Sequence, residues 1–279
     1  MNIGVAGLLA YSALMLAPQI DPIAIQLGPL AIHWYGLMYV LGFLATWYLV
    51  RMQLRESGLW QTRVSAEAYE GLFTALILGV VVGGRLGYIL FYNFGYYMEH
   101  PIEVLYVWQG GMSFHGGLIG PIVAGWWYCR KHDLPFLKLA DRISTVAPLG
   151  LAFGRLGNFI NGELWGRVAD PSVVPWAMIF PHAGPDPRHP SQLYELMLEG
   201  VVLFFILWLL RKKDWPDGSR VAIFLVGYAV ARIVCEDFRQ PDAQLGFLFG
   251  SVTMGMVLSS VMLLAGLTWL VLLFRKRAS

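Results

Sequence analysis

The chain has 279 residues, 57% of them apolar and only 14% charged, with a mean hydropathy of +0.57 and a net charge of +2. Soluble domains run nearer to ~45–50% apolar and ~25% charged, so a disordered chain, a coiled coil and most soluble enzymes are excluded. The near-neutral balance gives no electrostatic case for nucleic acid, and two cysteines make no disulfide framework.

Residues 1–20 are apolar and uncharged, yet they lack the basic start of a signal peptide. Pro18 and Asp21-Pro22 break the run early. This stretch is expected to be an arm or interfacial helix on the outer surface rather than an eighth span, with 1–29 as the first region of the chain. A helical span needs ~20 mostly apolar residues. Seven stretches qualify, near 30–50, 69–92, 113–129, 143–162, 193–210, 221–238 and 253–274. The expected fold is an all-α polytopic membrane protein with seven transmembrane helices spread over 30–279. The 11 Trp and 13 Tyr suit the two membrane–water interfaces. Cys129 and Cys235 fall in separate spans and read as packed thiols.

The connecting segments orient the chain. Arg51, Arg55, Arg63, Arg130, Lys131, Lys138, Arg142, Arg211, Lys212, Lys213, Arg220, Arg275, Lys276 and Arg277 all fall on one side, 14 of the 20 basic residues. The positive-inside rule makes that side the cytoplasm, with the C-terminus inside and the first span starting outside. The final Arg275-Lys276-Arg277 reads as an anchor at the bilayer surface. The one long external loop, 163–192, holds Pro171, Pro175, Pro181, Pro185, Pro187 and Pro190. Its Trp165, Trp176 and Phe180 argue for a small folded cap on the outer surface.

Arg85, Arg155 and Arg232 lie inside spans. Each costs ~2.5–3.5 kcal/mol at the bilayer centre on insertion scales, so each needs a partner or a purpose. All three spans run outward, which puts the three guanidiniums in the outer half. Tyr35, His115, Glu163, Glu195, Glu199 and Glu236 also fall at outer ends. A polar set confined to one leaflet weighs against a transporter or channel, whose polar path crosses the bilayer.

Tyr228, Arg232, Glu236 and Arg239 share one side of the sixth span. They read either as a self-neutralising Arg232–Glu236 pair or as a phosphate site, since a guanidinium fork matches phosphate oxygens. Gly84-Arg85-Leu86-Gly87 and Gly154-Arg155-Leu156-Gly157 repeat one tetrapeptide. Gly79, Gly83 and Gly87, and Gly150 and Gly154, have the spacing of close helix packing, which leaves the arginines unexplained. His115 opens the third span and is able to exchange a proton near neutral pH. His189 leads a segment in which Ser191 is a plausible N-cap and Glu195 faces inward. The histidines show no metal spacing.

Together these segments resemble the bacterial prolipoprotein diacylglyceryl transferase family. The resemblance rests on His33-Trp34-Tyr35-Gly36, Gly83 to Tyr88, His115 to Gly120, Gly154 to Gly166, His189 to Glu195 and Tyr228 to Arg239, in that order. The run Gly-Arg-Leu-Gly-Asn-Phe-Ile-Asn-Gly-Glu-Leu-Trp-Gly is the most specific of them. The resemblance implies a multi-pass enzyme of the bacterial inner membrane whose active site faces the periplasmic leaflet. It implies that 30–279 is a catalytic domain including a periplasmic cap over 163–192. Its substrates would be phosphatidylglycerol and the lipobox cysteine of preprolipoprotein signal peptides, among membrane lipids and without nucleic acid. Diacylglycerol would move to the thiol as a thioether, glycerol-1-phosphate would leave, and no cofactor or metal would take part.

Carried over by position, Arg155 would bind the lipid phosphate, with His115 and Arg232 central to activity. Tyr35, Arg85, Tyr92, Asn158, Glu163, Gly166, Glu195, Tyr228, Glu236 and Arg239 complete the substrate-binding set. A free thiol has a pKa of about 8.5, so a base or a positive field must help form the thiolate. Either His115 takes that proton, or it orients a partner while the arginines supply the field. The rival class is an outer-leaflet protein that binds or transports anionic lipid. An intramembrane serine protease would want a Gly-x-Ser-x-Gly elbow, which no span contains.

Overall fold

In lipid, backbone N–H and C=O groups find no water and must pair within the segment, which favours helices wherever an apolar run is long enough. A computed structural model describes residues 15–28, 30–241 and 246–278. In chain order the elements are β1 (Met15–Leu16), β2 (Ile23–Leu27), β3 (Leu30–His33), α1 (Trp34–Glu56), α2 (Ala66–Tyr92) and a short α3 (Phe94–Glu99). Then come α4 (Phe114–Lys131), α5 (Phe136–Ile160), β4 (Met178–Ile179), β5 (Pro187–Arg188), α6 (Ser191–Leu210), α7 (Ser219–Glu236), β6 (Phe247–Phe249), β7 (Val252–Thr253) and α8 (Met254–Ala278). Four of these helices, α1, α2, α6 and α8, are long and apolar enough to cross a membrane. Helices α4, α5 and α7 fall on the other three stretches expected to span. Each of those three mixes charge or proline into its apolar run: Pro121 in α4, Pro148 and Arg155 in α5, Arg232 and Glu236 in α7.

Residues 1–14 and 29 of the expected arm lie outside the described residues. Residues 15–28 are extended rather than helical. Strand β1 pairs in parallel with β4, and β4 pairs antiparallel with β5. The long proline-rich loop is therefore a folded element. Phe180 is fully buried in it, with the rings of Phe159 and Trp165 beside it.

The chain divides into two compact units, Arg51–Ala140 and the remainder. In the 51–140 unit, α2 and α4 touch backbone to backbone. A Cβ on Gly83 would lie 2.7 Å from the Cα of Gly120, and one on Gly87 3.0 Å from the Cα of Gly116. The expected glycine packing of Gly79, Gly83 and Gly87 is met, and its partners are the glycines after His115. Gly150 and Gly154 differ: a Cβ on either would meet nothing within 4 Å among the described residues. Gly42 does pack against Gly150, its Cβ position lying 3.3 Å from the Gly150 Cα.

In the larger unit, Asp141 near the start of α5 caps α7. Its carboxylate accepts from the backbone N–H of Gly218 at 2.9 Å, Arg220 at 2.9 Å and Val221 at 3.0 Å, and it pairs with the Arg220 side chain at 3.6 Å. These are the orphan donors of a helix start, and a negative charge there is doubly favourable. Asp141→Ala is expected to lower the unfolding free energy by about 2–3 kcal/mol, because charge-assisted bonds to a buried acceptor are lost. Denaturant unfolding in detergent micelles measures it; an unchanged midpoint would refute the cap.

Helix α6 carries one irregular turn, a π stretch over Leu196–Val202. There Gly200 lets α6 approach α5 closely: a Cβ on it would lie 2.6 Å from the Cβ of Ala152. That approach sets the carboxylates of α6 beside Arg155 of α5.

Candidate active site

The C-terminal part of α5, the first three turns of α6 and the end of α7 with the residues just after it meet in one charged group. Glu195 is its centre and is fully buried. Its Oε1 accepts from Arg232 Nη1 at 2.6 Å and from Arg239 Nη1 at 3.3 Å, while its Oε2 lies 3.0 Å from Arg155 Nε. Glu199, one turn on and equally buried, spans the same two guanidiniums. Its Oε2 is 3.3 Å from Arg155 Nη2 and its Oε1 3.5 Å from Arg232 Nη1. Glu236 pairs with Arg232 Nη2, the expected i,i+4 contact, and lies 3.9 Å from Arg239 Nε. Tyr228, one turn before Arg232, is within electrostatic reach of Arg155, Arg232, Glu195 and Glu199.

Three guanidiniums therefore face three carboxylates, and the group is neutral. Such a cluster is held because a buried charge without its partner is far costlier than the pair. The planar forks also fix direction, since each guanidinium presents its edges to two or, for Arg232, three different carboxylates. Side-chain exposure is 18% for Arg155 and 13% for Arg232, against zero for Glu195 and Glu199. The arginines keep some accessible surface after pairing, whereas these carboxylates keep none.

The Gly154–Gly166 run builds the corner that leads away from this group. Gly157 admits the Tyr35 ring, whose Cδ2 would lie 2.8 Å from an added Cβ. Tyr35 in turn shares a hydroxyl contact with Tyr39 at 3.2 Å. Asn158 donates to the Glu163 carboxylate at 2.9 Å, and Gln192 donates to the Glu163 carbonyl at 2.8 Å. Gly162 and Leu164 take positive φ, 63° and 57°. A non-glycine residue in that region is a strained turn held by its surroundings. Gly166 sits where no side chain fits, 2.5 Å separating its Cβ position from the carbonyl oxygens of His189 and Phe238.

Arg167 then donates from Nε to the Arg239 carbonyl and from Nη2 to the Glu236 carbonyl, both at 2.9 Å. It ties the loop to the end of α7, and a cation there also suits the helix dipole. Sequence reasoning missed this role; the signal was a basic residue directly after the closing glycine of the run. Above it, Trp176 donates to the Tyr194 hydroxyl at 2.6 Å, and that hydroxyl contacts His189 Nδ1 at 3.2 Å. Burial, and then the Arg167 charge, hold the His189 imidazole below its usual range.

His115, Arg85 and Tyr92 belong to the 51–140 unit. His115 is exposed at the start of α4, where Ser113 caps the helix through Gly116 N–H at 3.3 Å. Tyr92 is exposed and stacked on Tyr88. Arg85 is buried and committed to carbonyls: Glu103 at 2.6 Å, Gly110 at 2.7 Å, Val104 at 2.9 Å and Gly111 at 3.3 Å. The Tyr97 ring covers its remaining face. The repeated Gly-Arg-Leu-Gly thus serves two chemistries, Arg85 holding a loop and Arg155 facing carboxylates. Among the described residues no group of His, Cys, Asp and Glu is placed to hold a metal.

These features define a helical membrane protein with a buried arginine–carboxylate site where helix ends meet. The prolipoprotein diacylglyceryl transferase family matches residues 22–272, and the chain belongs to that family. It is 51% identical over 254 residues to the phosphatidylglycerol–prolipoprotein diacylglyceryl transferase of Legionella pneumophila (strain Lens), covering 91% of this chain and 96% of that one. It is 50% identical over 257 residues to the protein of that name from Desulfotalea psychrophila, covering 90% and 92%. It is 49% identical over 263 residues to the one from Pseudomonas aeruginosa (strain LESB58), covering 94% and 97%.

Proposed function

We propose that this chain moves the diacylglyceryl group of phosphatidylglycerol to the lipobox cysteine of preprolipoprotein signal peptides. The observation that carries the reading is the paired group of Arg155, Arg232 and Arg239 in a member of this family. The names of the relatives supply the donor and acceptor classes. In the reaction the thiolate sulfur attacks the glycerol carbon that bears the phosphate ester. A C–S bond forms as the C–O bond breaks, and the electron pair leaves on the phosphate oxygen of glycerol-1-phosphate.

Arg155 and Arg232 bind the phosphate and stabilise that departing charge, an effect of several kcal/mol per well-aimed donor. Glu195, Glu199 and Glu236 hold the guanidiniums fixed before the lipid arrives, so little reorganisation remains at the moment of reaction. Tyr35, Tyr92, Asn158, Glu163, Gly166, Tyr228 and Arg239 complete the binding set. Arg85 contributes through the loop whose carbonyls it holds. His115 either takes the thiol proton or orients a partner while the arginines supply the field that favours the thiolate.

In this reading 30–279 is the catalytic domain and crosses the bacterial inner membrane seven times. The C-terminus is then cytoplasmic, the site opens to the periplasmic leaflet, 163–192 caps it, and 1–29 lies outside as an arm. The basic residues of the connecting segments support that orientation. The test mixes purified protein with phosphatidylglycerol and a lipobox peptide, and reads the thiol by mass spectrometry. A diacylglyceryl adduct that disappears in Arg155→Ala is the expected result. Lipid binding without an adduct would overturn the reading in favour of a lipid-binding protein.

A further inference from the structure

We infer that Thr253 and Gly255, at the start of α8, position the Arg232 guanidinium through Glu236, an inference that rests on the transferase reading above. Glu236 ends α7 and is buried. One of its oxygens pairs with Arg232. The other, Oε2, accepts a hydrogen bond from Thr253 Oγ1 at 3.0 Å. The direction of that bond is fixed by a second one. Thr253 is the residue before α8, and its Oγ1 accepts from the Met256 N–H at 3.2 Å, the ordinary N-cap arrangement. With a lone pair so engaged, its single proton points at Glu236.

Gly255 supplies the space. An added Cβ would lie 2.8 Å from the Glu236 Cδ and closer still to its Oε1. A glycine here lets the carboxylate rest on the first turn of the helix. The positive end of the α8 dipole also favours a carboxylate at that spot. Glu236 is thus gripped on one side by α8 and on the other by Arg232, which in turn meets Glu195 at 2.6 Å. Neither Thr253 nor Gly255 meets a substrate in this account. Their role is to hold the carboxylate that holds the guanidinium.

Three substitutions separate this role from simple capping. Thr253→Ser keeps both the cap and the donated proton. Thr253→Asp keeps the cap, since aspartate is among the best N-caps, but sets a carboxylate against Glu236. Thr253→Val removes both. Lipid transfer is measured as kcat and as KM for phosphatidylglycerol, with a melting midpoint for each variant. Thr253→Ser is expected to stay near the parent. Thr253→Asp is expected to lose kcat by roughly 10–100-fold, the effect of a slightly misplaced catalytic group, with KM much less altered and the melting midpoint lowered by the added buried carboxylate. In a Glu236→Gln background, Thr253→Val is expected to cost little more, because coupled residues are not additive. Parent-like kcat in Thr253→Asp, or an equal penalty for Thr253→Val in both backgrounds, would overturn the inference while leaving the transferase reading intact. A parent protein that binds lipid and transfers none would overturn that reading, and this inference with it.

Discussion

Arg232→Gln is expected to abolish lipid transfer and to lower the unfolding free energy by about 3–5 kcal/mol, the range for breaking a buried ion pair from one side. The stability loss follows from the count of charges. Arg232 is in contact with all three carboxylates, Glu195, Glu199 and Glu236. Without it, two guanidiniums remain for three buried carboxylates, and one carboxylate must be protonated or hydrated at a cost. The activity loss follows from direction. A neutral amide donates neither the charge nor the fork that a phosphate needs. Arg232→Lys separates the two effects. It restores the charge count and is expected to recover most of the stability, yet little of the activity, because an ammonium is a point charge without two parallel donors. Denaturant unfolding in micelles and the transfer assay measure the two. Arg232→Gln with parent stability would show that the pairing seen here does not hold the fold.

Gly166→Ala is the second large effect. The added methyl has nowhere to go: its position is 2.5 Å from two carbonyl oxygens, both backbone, on segments leading from opposite sides. Gly166 also pairs with Arg239 as an isolated bridge and donates to the His189 carbonyl at 2.9 Å. Relief requires the 163–192 segment to move off the end of α7. That movement stretches the Arg167 bonds to the backbone of Glu236 and Arg239, which anchor two members of the charged group. A loss of activity of roughly 100-fold is expected, the scale of a ~1 Å displacement of a catalytic group. Overpacking of this kind costs ~1–3 kcal/mol, so the protein should still fold. Activity within a few-fold of the parent would mean that the corner yields without disturbing α7.

Much of this was legible in the residues. Hydrophobic length marked the helices, and charge located Arg155, Arg232 and Glu236 at common ends. The i,i+4 offset gave the Arg232–Glu236 pair before any coordinates. What periodicity does not carry is contact between helices distant in sequence. Glu195 and Glu199 were readable as outer-end carboxylates, but not as the bridge between α5 and α7. The identical tetrapeptides around Arg85 and Arg155 looked equivalent, and only the return of residues 103–111 over Arg85 distinguishes them. The glycines misled in one case. Spacing alone made Gly154 look like Gly79 and Gly83, because a small-residue stripe records that close approach is allowed, not that a partner arrives, whereas Gly150 does receive Gly42 of α1. Thr253 fell unremarked at the start of the last apolar stretch, because nothing in a sequence shows the proton it directs at Glu236.

The π stretch in α6 has a consequence for how this helix tolerates change. A π turn takes one more residue than an α turn, so it acts as a phase shifter between two halves of one rod. The half bearing Glu195 is set in rotation against Arg155 and Arg232, and the apolar half from Leu203 is set against its own neighbours. Removing one residue from 196–202 would restore an unbroken α-helix. Because the wide turn absorbs its extra residue, the two halves would keep their relative rotation, with Glu195 still toward Arg155 and Arg232 and the apolar half from Leu203 still toward its own neighbours. Leu196–Val202 is therefore where α6 can lose a residue with both faces kept in phase, whereas a deletion in its α-helical parts would turn one half by about 100° against the other.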